Sequence, residues 1–445
     1  MNPDPFHSTL TANRAVIAAG GVSCCAYAYL ALATQSGGQP PLVAFLMVIA
    51  ACAGLSFALC ARHQHRGTQV SIGWMLGFAV VFRLIGVIGE PIFEDDFYRY
   101  LWDGYLFVET GTPYGVPPSA YFASDDLGDR FESILDQINH PDIATVYGPA
   151  NQWFFALAYV LAPGQVWPLQ LMLSAIDLAV VLMLLQMAKP NWVLLYAWCP
   201  LLVKEVAFTA HPDVLGVAFV VAGLLTARGR RWALTGALLA LAAASKVFAL
   251  ILVPFLLRLH WRGWAAFVTT AVLVAAPFGV IAAWFPDGLQ AMARDWLFNA
   301  PLYFALSPWL AFDQIKLGLL SAFVVGWALA LYPFVFGRTR HQNSIVAVRG
   351  DVLFAAFFLC VPVVNAWYVV WLLPFGVLHP SRAVWAASAV LALSYVTGIN
   401  TGHAGTALYA LPGWIVALEV AVVGLALIID ARRPCVPDSV RHHRL

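Results

Sequence analysis

Residues 41–61 read PLVAFLMVIAACAGLSFALCA, and this stretch decides the fold. It carries no charged side chain from its first residue to its last. About 20 apolar residues in a helix cross the hydrocarbon core of a bilayer. Within lipid, a single segment can satisfy its backbone N–H and C=O groups only as a helix. The stretch therefore predicts a membrane-spanning helix.

Similar apolar runs continue on both sides of this stretch along nearly the whole chain. Hydrophobic residues make up 61% of the 445 residues and charged residues only 11%. We therefore predict an all-α polytopic membrane protein, with about 12–14 transmembrane helices plus short re-entrant or juxtamembrane helices. We expect residues 1–445 to form a single integral membrane domain. The runs lie near residues 13–33, 41–61, 70–89, 150–163, 167–187, 191–208, 213–227, 233–245, 247–257, 264–284, 316–336, 350–364, 367–378, 383–399 and 412–430.

Short basic clusters separate several of these runs and predict the orientation of the chain. The positive-inside rule places such clusters in the cytoplasm. The run near 70–89 then delivers residues 90–148, the longest polar stretch, to the outer side as one large loop. Loops of that length are usually functional. The clusters lie at 62–66, 228–231, 258–262, 338–340 and 432–433.

Two runs leave the path of the chain open. If 150–163 crosses the membrane fully, His211 and Asp213 face the cytoplasm. If it is re-entrant or interfacial, they face the outside. We prefer the second alternative, because short helices at membrane depth are tolerated where they line a cavity. The run 232–257 has basic flanks at both ends, so it crosses twice or dips and returns, with Ser245-Lys246 at the turn.

The composition excludes several classes of protein. The net charge of +1 indicates no nucleic-acid partner. The seven cysteines show no metal-ligand spacing, and we interpret those in the apolar runs as small apolar residues. No cofactor is indicated, and the use of a divalent metal stays open.

The run EDDFYRYLWDG, residues 94–104, places five charges beside an apolar span. Charged groups there are costly and by default mark a functional site. If the run is helical, Asp96, Arg99 and Asp103 share one face with Tyr100 beside them. Two adjacent acids with an arginine are typical of a general base held in position. The alternative is a helix start, which acids favour, and Arg99 could equally contact a phosphate.

Further polar and aromatic residues are predicted to approach the same outer side. Such a set suits a sugar, and a lysine at headgroup depth suits a lipid phosphate. Each also has a structural alternative: a turn, a helix cap, snorkelling to an interface, or an aromatic belt. Lys204 and Glu205, by contrast, are interpreted as neutralising each other. The outer set is His140, Tyr147, His211, Asp213, Lys246, Asn365, Trp367 and Tyr368.

Several segments resemble a known family. The run from Glu94 to Tyr159, with EDDFYRYLWDG, GTPYG, INHPD and VYGP, resembles the first outer loop of bacterial polyprenyl-phosphate-sugar-dependent glycosyltransferases. These belong to the glycosyltransferase C superfamily, near family 87 and the alpha-1,6-mannosyltransferases. YAWCPLLVKEVAFTAHPDVLG, LAAASKVFALILVPFLL and VNAWYVVWLLPF resemble later segments of the family. The first loop is the specific part of this resemblance.

The resemblance implies an enzyme that moves mannose or another hexose from a polyprenyl-phosphate donor to a hydroxyl of a glycolipid or glycan. It implies inversion at the sugar and a site on the outer face of the bacterial inner membrane. In this superfamily an acid of the first outer loop acts as base, here Asp96 or Asp95, with Asp96 preferred. The implied substrate-binding residues are Glu94, Arg99, Tyr100, Asp103, His140, Tyr147, His211, Asp213, Lys246, Asn365, Trp367 and Tyr368.

The expected partners are membrane lipids, the lipid-linked donor and the acceptor, with no nucleic acid, and we expect a monomer. A second hypothesis belongs to another class of protein. A secondary transporter or lipid-linked sugar flippase would use the charged run as a coupling site. It would distribute charges among the spans, whereas the polar residues of this chain cluster on one predicted side.

Overall fold

The computed structural model describes residues 5–124, 127–336, 348–401 and 409–432. Within these ranges the regular elements are helices, and extended backbone pairs only at an isolated bridge between Phe298 and Val363. The predicted all-α fold is confirmed. The basic cluster at 338–340 and His403, which we interpret as a structural residue of an outer loop, lie outside the described residues.

Five helices of the described ranges are long and apolar enough to cross a membrane. The number rises to six if one helix pair, bent by 108°, counts as a single span. The chain is therefore a multi-pass membrane protein. The five are Asn13–Ala33, Leu42–His65, Trp167–Leu185, Phe312–Phe336 and Gly413–Arg432, and the bent pair is Trp261–Phe278 with Val280–Ala291.

Full-length spans within the described ranges are fewer than the 12–14 expected from the sequence, because many apolar runs fold into shorter helices. Ile72–Ile88, Trp232–Ser245 and Gly350–Cys360 are apolar but have at most 17 residues. The run near 191–208 is divided at Pro200, where a new helix begins, and then continues as a π-helix. Proline lacks the N–H that an uninterrupted helix needs, so apolar sequence alone overestimates the length of its helices.

The chain divides into two compact units, and the first comprises Met1–Phe93, Asp177–Thr209 and Asn365–Leu445. The helix Trp167–Leu185 begins in the second unit and ends in the first. The other helices of the first unit are Pro5–Ala33, Gln35–Gly37, Leu42–His65, Ile72–Ile88, Pro190–Ala197, Pro200–Leu202, Val203–Phe208, Ala366–Trp371, Leu373–Leu378, Arg382–Val390, Leu391–Tyr395, Gly398–Thr401 and Gly413–Arg432.

A buried ion pair lies in the first unit. Arg83 and Asp177 are 2.6 Å apart and at most 1% exposed. The Tyr196 hydroxyl donates to the same aspartate over 2.9 Å, and the arginine also donates to the Ala197 carbonyl. Each charge lies alone in an apolar run of the sequence, and the two are 94 residues apart, so only the fold reveals the pair.

We expect Asp177→Leu to lower the free energy of unfolding by about 3–5 kcal/mol, because Arg83 would stay buried without its counter-ion. Thermal unfolding in detergent, followed by circular dichroism, measures the loss. The double variant Arg83→Met/Asp177→Leu is expected to recover much of it, since an apolar pair can replace a buried ion pair at little cost. A single variant as stable as the wild type contradicts the prediction.

Lys204 and Glu205 also lie buried in the first unit, on the π-helix Val203–Phe208. The Lys204 ammonium contacts the Glu205 carboxylate over 3.1 Å. The Tyr395 hydroxyl donates to the same carboxylate over 2.6 Å and accepts from Lys204. The interpretation that these two charges neutralise each other is confirmed.

The second unit comprises Glu94–Ile176 and Ala210–Val364 and contains the acidic run. The described residues of the large loop expected at 90–148 include three helical segments. Besides the start of Trp167–Leu185, the helices of this unit are Asp96–Thr110, Pro118–Tyr121, Asp129–Asp136, Pro149–Leu161, Asp213–Arg228, Trp232–Ser245, Val247–Ile251, Val253–Leu257, Trp261–Ala275, Ala276–Phe278, Val280–Trp284, Asp287–Asp295, Pro301–Leu306, Phe312–Phe336 and Gly350–Cys360.

The two runs that the sequence leaves open are short, broken elements. Pro149–Leu161 has 13 residues, which at 1.5 Å per residue spans about 20 Å, less than a bilayer core. This length suits the preferred re-entrant or interfacial alternative. The run 232–257 breaks at Lys246, which is extended between Trp232–Ser245 and Val247–Ile251. The helix thus ends where the turn was expected, and whether the chain crosses twice or dips and returns stays a prediction.

Close backbone contacts at glycine hold the second unit together around the acidic run. A Cβ added at Gly104 would lie 2.5 Å from the Phe155 carbonyl oxygen, so Asp96–Thr110 packs directly on Pro149–Leu161. A Cβ added at Gly148 would lie 2.1 Å from the Ala244 carbonyl oxygen. Small residues allow this approach, and it brings the segment around Lys246 against the start of Pro149–Leu161.

Candidate active site

The acidic run forms the start of the helix Asp96–Thr110, so the condition under which Asp96, Arg99 and Asp103 share one face is met. Asp95 is the N-cap residue, and Gly111 closes the helix with a positive φ of 84°. The side chain of Asp95 makes no capping hydrogen bond to the first turn, all of which is described. Helix capping alone therefore does not explain the acid at position 95.

Asn139 joins the two acids. Its side-chain amide donates to Asp95 Oδ1 over 2.6 Å and to Asp96 Oδ1 over 3.3 Å. An amide NH₂ has two hydrogens, so one group can hold both carboxylates. Asn139 is uncharged and has no distinguishing signal of its own in the segment INHPD, where it stands beside His140.

The two acids have opposite pKa shifts. Burial raises the pKa of Asp95 to about 6, and the neighbouring charge of Asp96 acts in the same direction. Burial would raise the pKa of Asp96 too, but His211, Asn139 and Lys246 together hold it below its usual value. Hydrogen bonds and positive charge favour the carboxylate form. Asp96 is therefore ionised at neutral pH, and Asp95 titrates close to it.

His211 lies against Asp96. Its Nε2 is 3.7 Å from Asp96 Oδ2, and the histidine is 2% exposed while the aspartate is 24% exposed. His211 follows Ala210, whose φ of 58° turns the chain just before the helix Asp213–Arg228. The arrangement leaves one side of the Asp96 carboxylate accessible and the other in contact with a buried ring.

Lys246 adds a positive charge to the cluster. Its ammonium lies 2.8 Å from Asp213 Oδ1, and its side chain is 24% exposed. Asn151 and Ser245 fix its backbone, since the Asn151 amide donates to the Ser245 carbonyl and the Ser245 hydroxyl donates back to the Asn151 side chain. His211, Asp213 and Lys246 thus lie beside the acids, as expected of one site.

Arg99 does not brace the acids as expected. Its guanidinium donates to the Ile143 carbonyl over 2.7 Å and to the His140 carbonyl over 3.4 Å. Although Arg99 shares a helix face with Asp96, its hydrogen bonds go to the backbone of the 140–143 turn. The bracing role belongs to Asn139.

The turn also accounts for His140. This residue has a φ of 49°, and its carbonyl accepts the Ile143 N–H over 3.0 Å. Its ring lies 4.5 Å from the ring of Trp296, and burial lowers its pKa. His140 therefore orders a turn, and a sugar contact by its ring stays a prediction.

Asp103 is 1% exposed and holds the chain that follows the turn. Its carboxylate accepts from the Thr145 hydroxyl and, over 2.9 Å, from the Gln152 amide. Burial raises its pKa to about 6, against the opposing charge of Arg99. These contacts give Asp103 a structural role, and its predicted contact with substrate is not tested.

Tyr100 and Tyr147 form an aromatic cluster with Phe155. The Tyr100 ring stacks on Phe155 with centroids 4.8 Å apart and meets the Tyr147 ring edge-on at 5.1 Å. The Tyr147 carbonyl accepts the Tyr114 hydroxyl. The cluster packs beside His211, whose ring is 6.4 Å from that of Tyr100.

Glu94, Asp96 and His211 each offer a ligand atom, and these atoms lie within 4.8 Å of one another. Two carboxylates and an imidazole suit a divalent ion such as Zn²⁺ or Mn²⁺. The group could therefore hold a metal in principle. Lys246 and Asn139 already stabilise the Asp96 charge without an ion.

The structure brings most of the expected residues into the second unit, within or beside one cluster. Asn365, Trp367 and Tyr368 belong to the first unit, where Asn365 occupies the N-cap position of the helix Ala366–Trp371 without a side-chain capping hydrogen bond. The Trp367 and Tyr368 rings meet edge-on at 6.2 Å. Their part in the site stays a prediction, as does the aromatic-belt alternative.

Comparison with known proteins identifies the family. Residues 15–263, more than half of the chain, match the model of the family described as Alpha-(1->6)-mannopyranosyltransferase, N-terminal domain. The matched range includes the acids, Asn139, His211 and Lys246. No curated protein and no solved structure matches the chain. Together with its membrane-spanning helices, the match shows that the chain belongs to the alpha-(1→6)-mannopyranosyltransferase family of membrane glycosyltransferases.

Proposed function

We propose that the protein transfers mannose, or a related hexose, from a polyprenyl-phosphate donor to a hydroxyl of a glycolipid or glycan. The reaction takes place at the outer face of the bacterial cytoplasmic membrane and inverts the anomeric carbon. The observation that carries the proposal is Asp96, an ionised and partly exposed carboxylate. It lies among groups that suit a sugar phosphate: an imidazole, an ammonium and a second acid.

In the proposed step the acceptor oxygen attacks the anomeric carbon and forms the new glycosidic bond. Asp96 takes the proton of that hydroxyl. The bond from the anomeric carbon to the phosphate oxygen breaks on the opposite face, and the electron pair leaves with the lipid phosphate. A single displacement with one base inverts the sugar, and no covalent sugar–enzyme intermediate forms.

Asp96 fits the base better than Asp95 on two grounds. It is ionised over the whole neutral range, and its carboxylate is 24% exposed beside His211 and the Lys246–Asp213 pair. Asp95 has a pKa of about 6, and its carboxylate accepts a hydrogen bond of 2.6 Å from the Asn139 amide. We assign Asp95 a supporting role.

Lys246 is the proposed partner of the lipid phosphate. Its side chain is 24% exposed, and its ammonium pairs with Asp213. A cation at this position would stabilise the charge that develops on the leaving phosphate. Glu94, Tyr100, His140, Tyr147 and Asp213 are proposed to contact sugar hydroxyls or ring faces.

The experiment is a transfer assay with the purified protein in nanodiscs, given a polyprenyl-phosphate mannose and a lipid-linked mannoside acceptor. A nanodisc has no membrane potential across it. A mannosylated product with inverted configuration supports the proposal. Movement of the donor across a sealed vesicle without any covalent product would favour the flippase hypothesis and overturn the proposal.

A chelator arm of the same assay separates two roles for Asp96. Activity that persists in EDTA fits a free carboxylate that takes a proton. Activity that is lost in EDTA, and that Mn²⁺ restores in Glu94→Gln as it does in the wild type, would point to a metal elsewhere. If Mn²⁺ restores the activity of the EDTA-treated wild type but not that of Glu94→Gln, the metal binds at Glu94. Asp96 would then be a metal ligand, which would contradict its assignment as base.

A further inference from the structure

We propose that Asn139 is a positioning residue that holds Asp95 and Asp96 with one amide group and so presents Asp96 to the acceptor. This inference rests on the proposed function, because it assumes that Asp96 is the base. Nothing in the family match assigns a role to Asn139.

Asp95 and Asp96 are adjacent acids whose carboxylates both contact the Asn139 amide. Consecutive carboxylates repel each other, and each would turn toward solvent if nothing held it. The Asn139 amide nitrogen is 2.6 Å from Asp95 Oδ1 and 3.3 Å from Asp96 Oδ1. The second carboxylate oxygen of Asp96 then faces His211, with Oδ2 3.7 Å from Nε2. Asn139 therefore sets the orientation of both acids.

The chain on both sides of Asn139 is itself held in place. It follows the helix Asp129–Asp136 and the buried Ile138, and it precedes the 140–143 turn. Arg99 donates to both ends of this turn, at the His140 and Ile143 carbonyls. The helix that carries Asp96 thus also carries the arginine that fixes the turn beside Asn139.

The next part of the chain is clamped from another direction. A Cβ added at Gly288 would lie 2.1 Å from the Ala144 carbonyl oxygen, so the helix Asp287–Asp295 packs directly against the backbone there. The Thr145 hydroxyl donates to Asp103 on the acid-bearing helix. The Pro141 carbonyl accepts the Ser119 N–H over 2.9 Å. These contacts leave the Asn139 amide little freedom to leave the acids.

A positioning role has a kinetic consequence that a merely structural role lacks. Without the Asn139 amide, the Asp96 carboxylate loses one of the groups that set its orientation, so it meets the acceptor hydroxyl less often in a productive geometry. The contacts that bind the substrates stay in place. We therefore expect Asn139→Ala to lower kcat, to leave KM nearly unchanged and to have no further effect once Asp96 is replaced.

The test is a double-mutant cycle in the transfer assay with wild type, Asn139→Ala, Asn139→Asp, Asp96→Asn and Asn139→Ala/Asp96→Asn. We expect kcat to fall about 10-fold or more in Asn139→Ala, with little change in KM. We expect a similar fall in Asn139→Asp, which keeps the size of the side chain but loses the amide donor. In the Asp96→Asn background, Asn139→Ala should lower kcat no further.

Asn191→Ala is the matched control. Asn191 is a buried asparagine of the first unit whose side chain bonds to Val70 N and Thr68 O, so it tests the cost of losing an asparagine clamp elsewhere. We expect the wild-type kcat and KM in this variant.

A wild-type kcat in Asn139→Ala overturns the inference, and so does an equal fall in kcat with and without the Asp96 carboxylate. Should Asn139→Ala fail to fold, the isosteric Asn139→Asp decides in the same way. A wild type that forms no product overturns the proposed function itself and this inference with it.

Discussion

Asp96→Asn is expected to lower the rate of sugar transfer by about 10²–10⁴-fold, the usual contribution of a general base. The amide keeps the size of the side chain and its contact with the Asn139 region but cannot take a proton. The other groups around the acceptor stay in place, so KM should change little. Single-turnover transfer in nanodiscs, with product resolved by mass spectrometry, measures the loss.

Two matched acids serve as controls for this variant. Asp95→Asn removes the neighbouring charge and leaves Asp96 as base, so we expect a smaller loss, about 10-fold or less. Asp136→Asn, at an exposed position ending the helix Asp129–Asp136, should retain wild-type activity. Wild-type rates in Asp96→Asn contradict its assignment, and a greater loss in Asp95→Asn moves the base to Asp95.

The pH dependence of the wild type distinguishes the same two acids. A base must be ionised, so activity falls as pH drops through its pKa. Because the pKa of Asp96 lies below its usual value, transfer should stay nearly constant between pH 8 and pH 5. If Asp95 were the base, transfer would fall roughly tenfold per unit below about pH 6. A limb near pH 6 that disappears in Asp95→Asn would contradict the assignment of Asp96.

Lys246→Met is the second variant with a large expected effect, a fall of about 10²–10³-fold in kcat. Methionine keeps much of the apolar stem but removes the charge proposed to stabilise the leaving phosphate. The variant also removes the partner of Asp213, 2.8 Å away, and the positive charge that helps to keep Asp96 ionised. Steady-state kinetics with a polyprenyl-phosphate mannose donor measures the effect.

Further variants separate these causes. Lys246→Arg retains the charge and should recover much of the activity, although a guanidinium fits a different geometry. Lys246→Met/Asp213→Asn removes both members of the ion pair, so an equally low rate assigns the loss to the missing cation and not to an unpaired aspartate. Near-normal transfer in Lys246→Met would leave snorkelling as its role.

Much of the fold follows from local sequence. The run 41–61 is apolar throughout and predicts a helix whatever surrounds it, and Leu42–His65 confirms it. The helix that begins at Asp96 is only a condition in the sequence reasoning, and the structure supplies it. The number of full-length spans does not follow from local sequence, because prolines, a π-helix and the break at Lys246 shorten helices within apolar sequence.

The candidate site also follows in part from the sequence and in part only from the tertiary structure. Asp96, His211 and Lys246 are polar residues in an apolar chain, and burying charge is costly, so the sequence by itself determined that they are exceptional. Asn139 carries no charge and no such signal. Only the tertiary structure decided that its amide joins Asp95 and Asp96 while Arg99 turns to the 140–143 backbone. Hydrogen bonds reach a few ångströms in space and ignore separation along the chain, so partners 43 residues apart become visible only when the helices are packed.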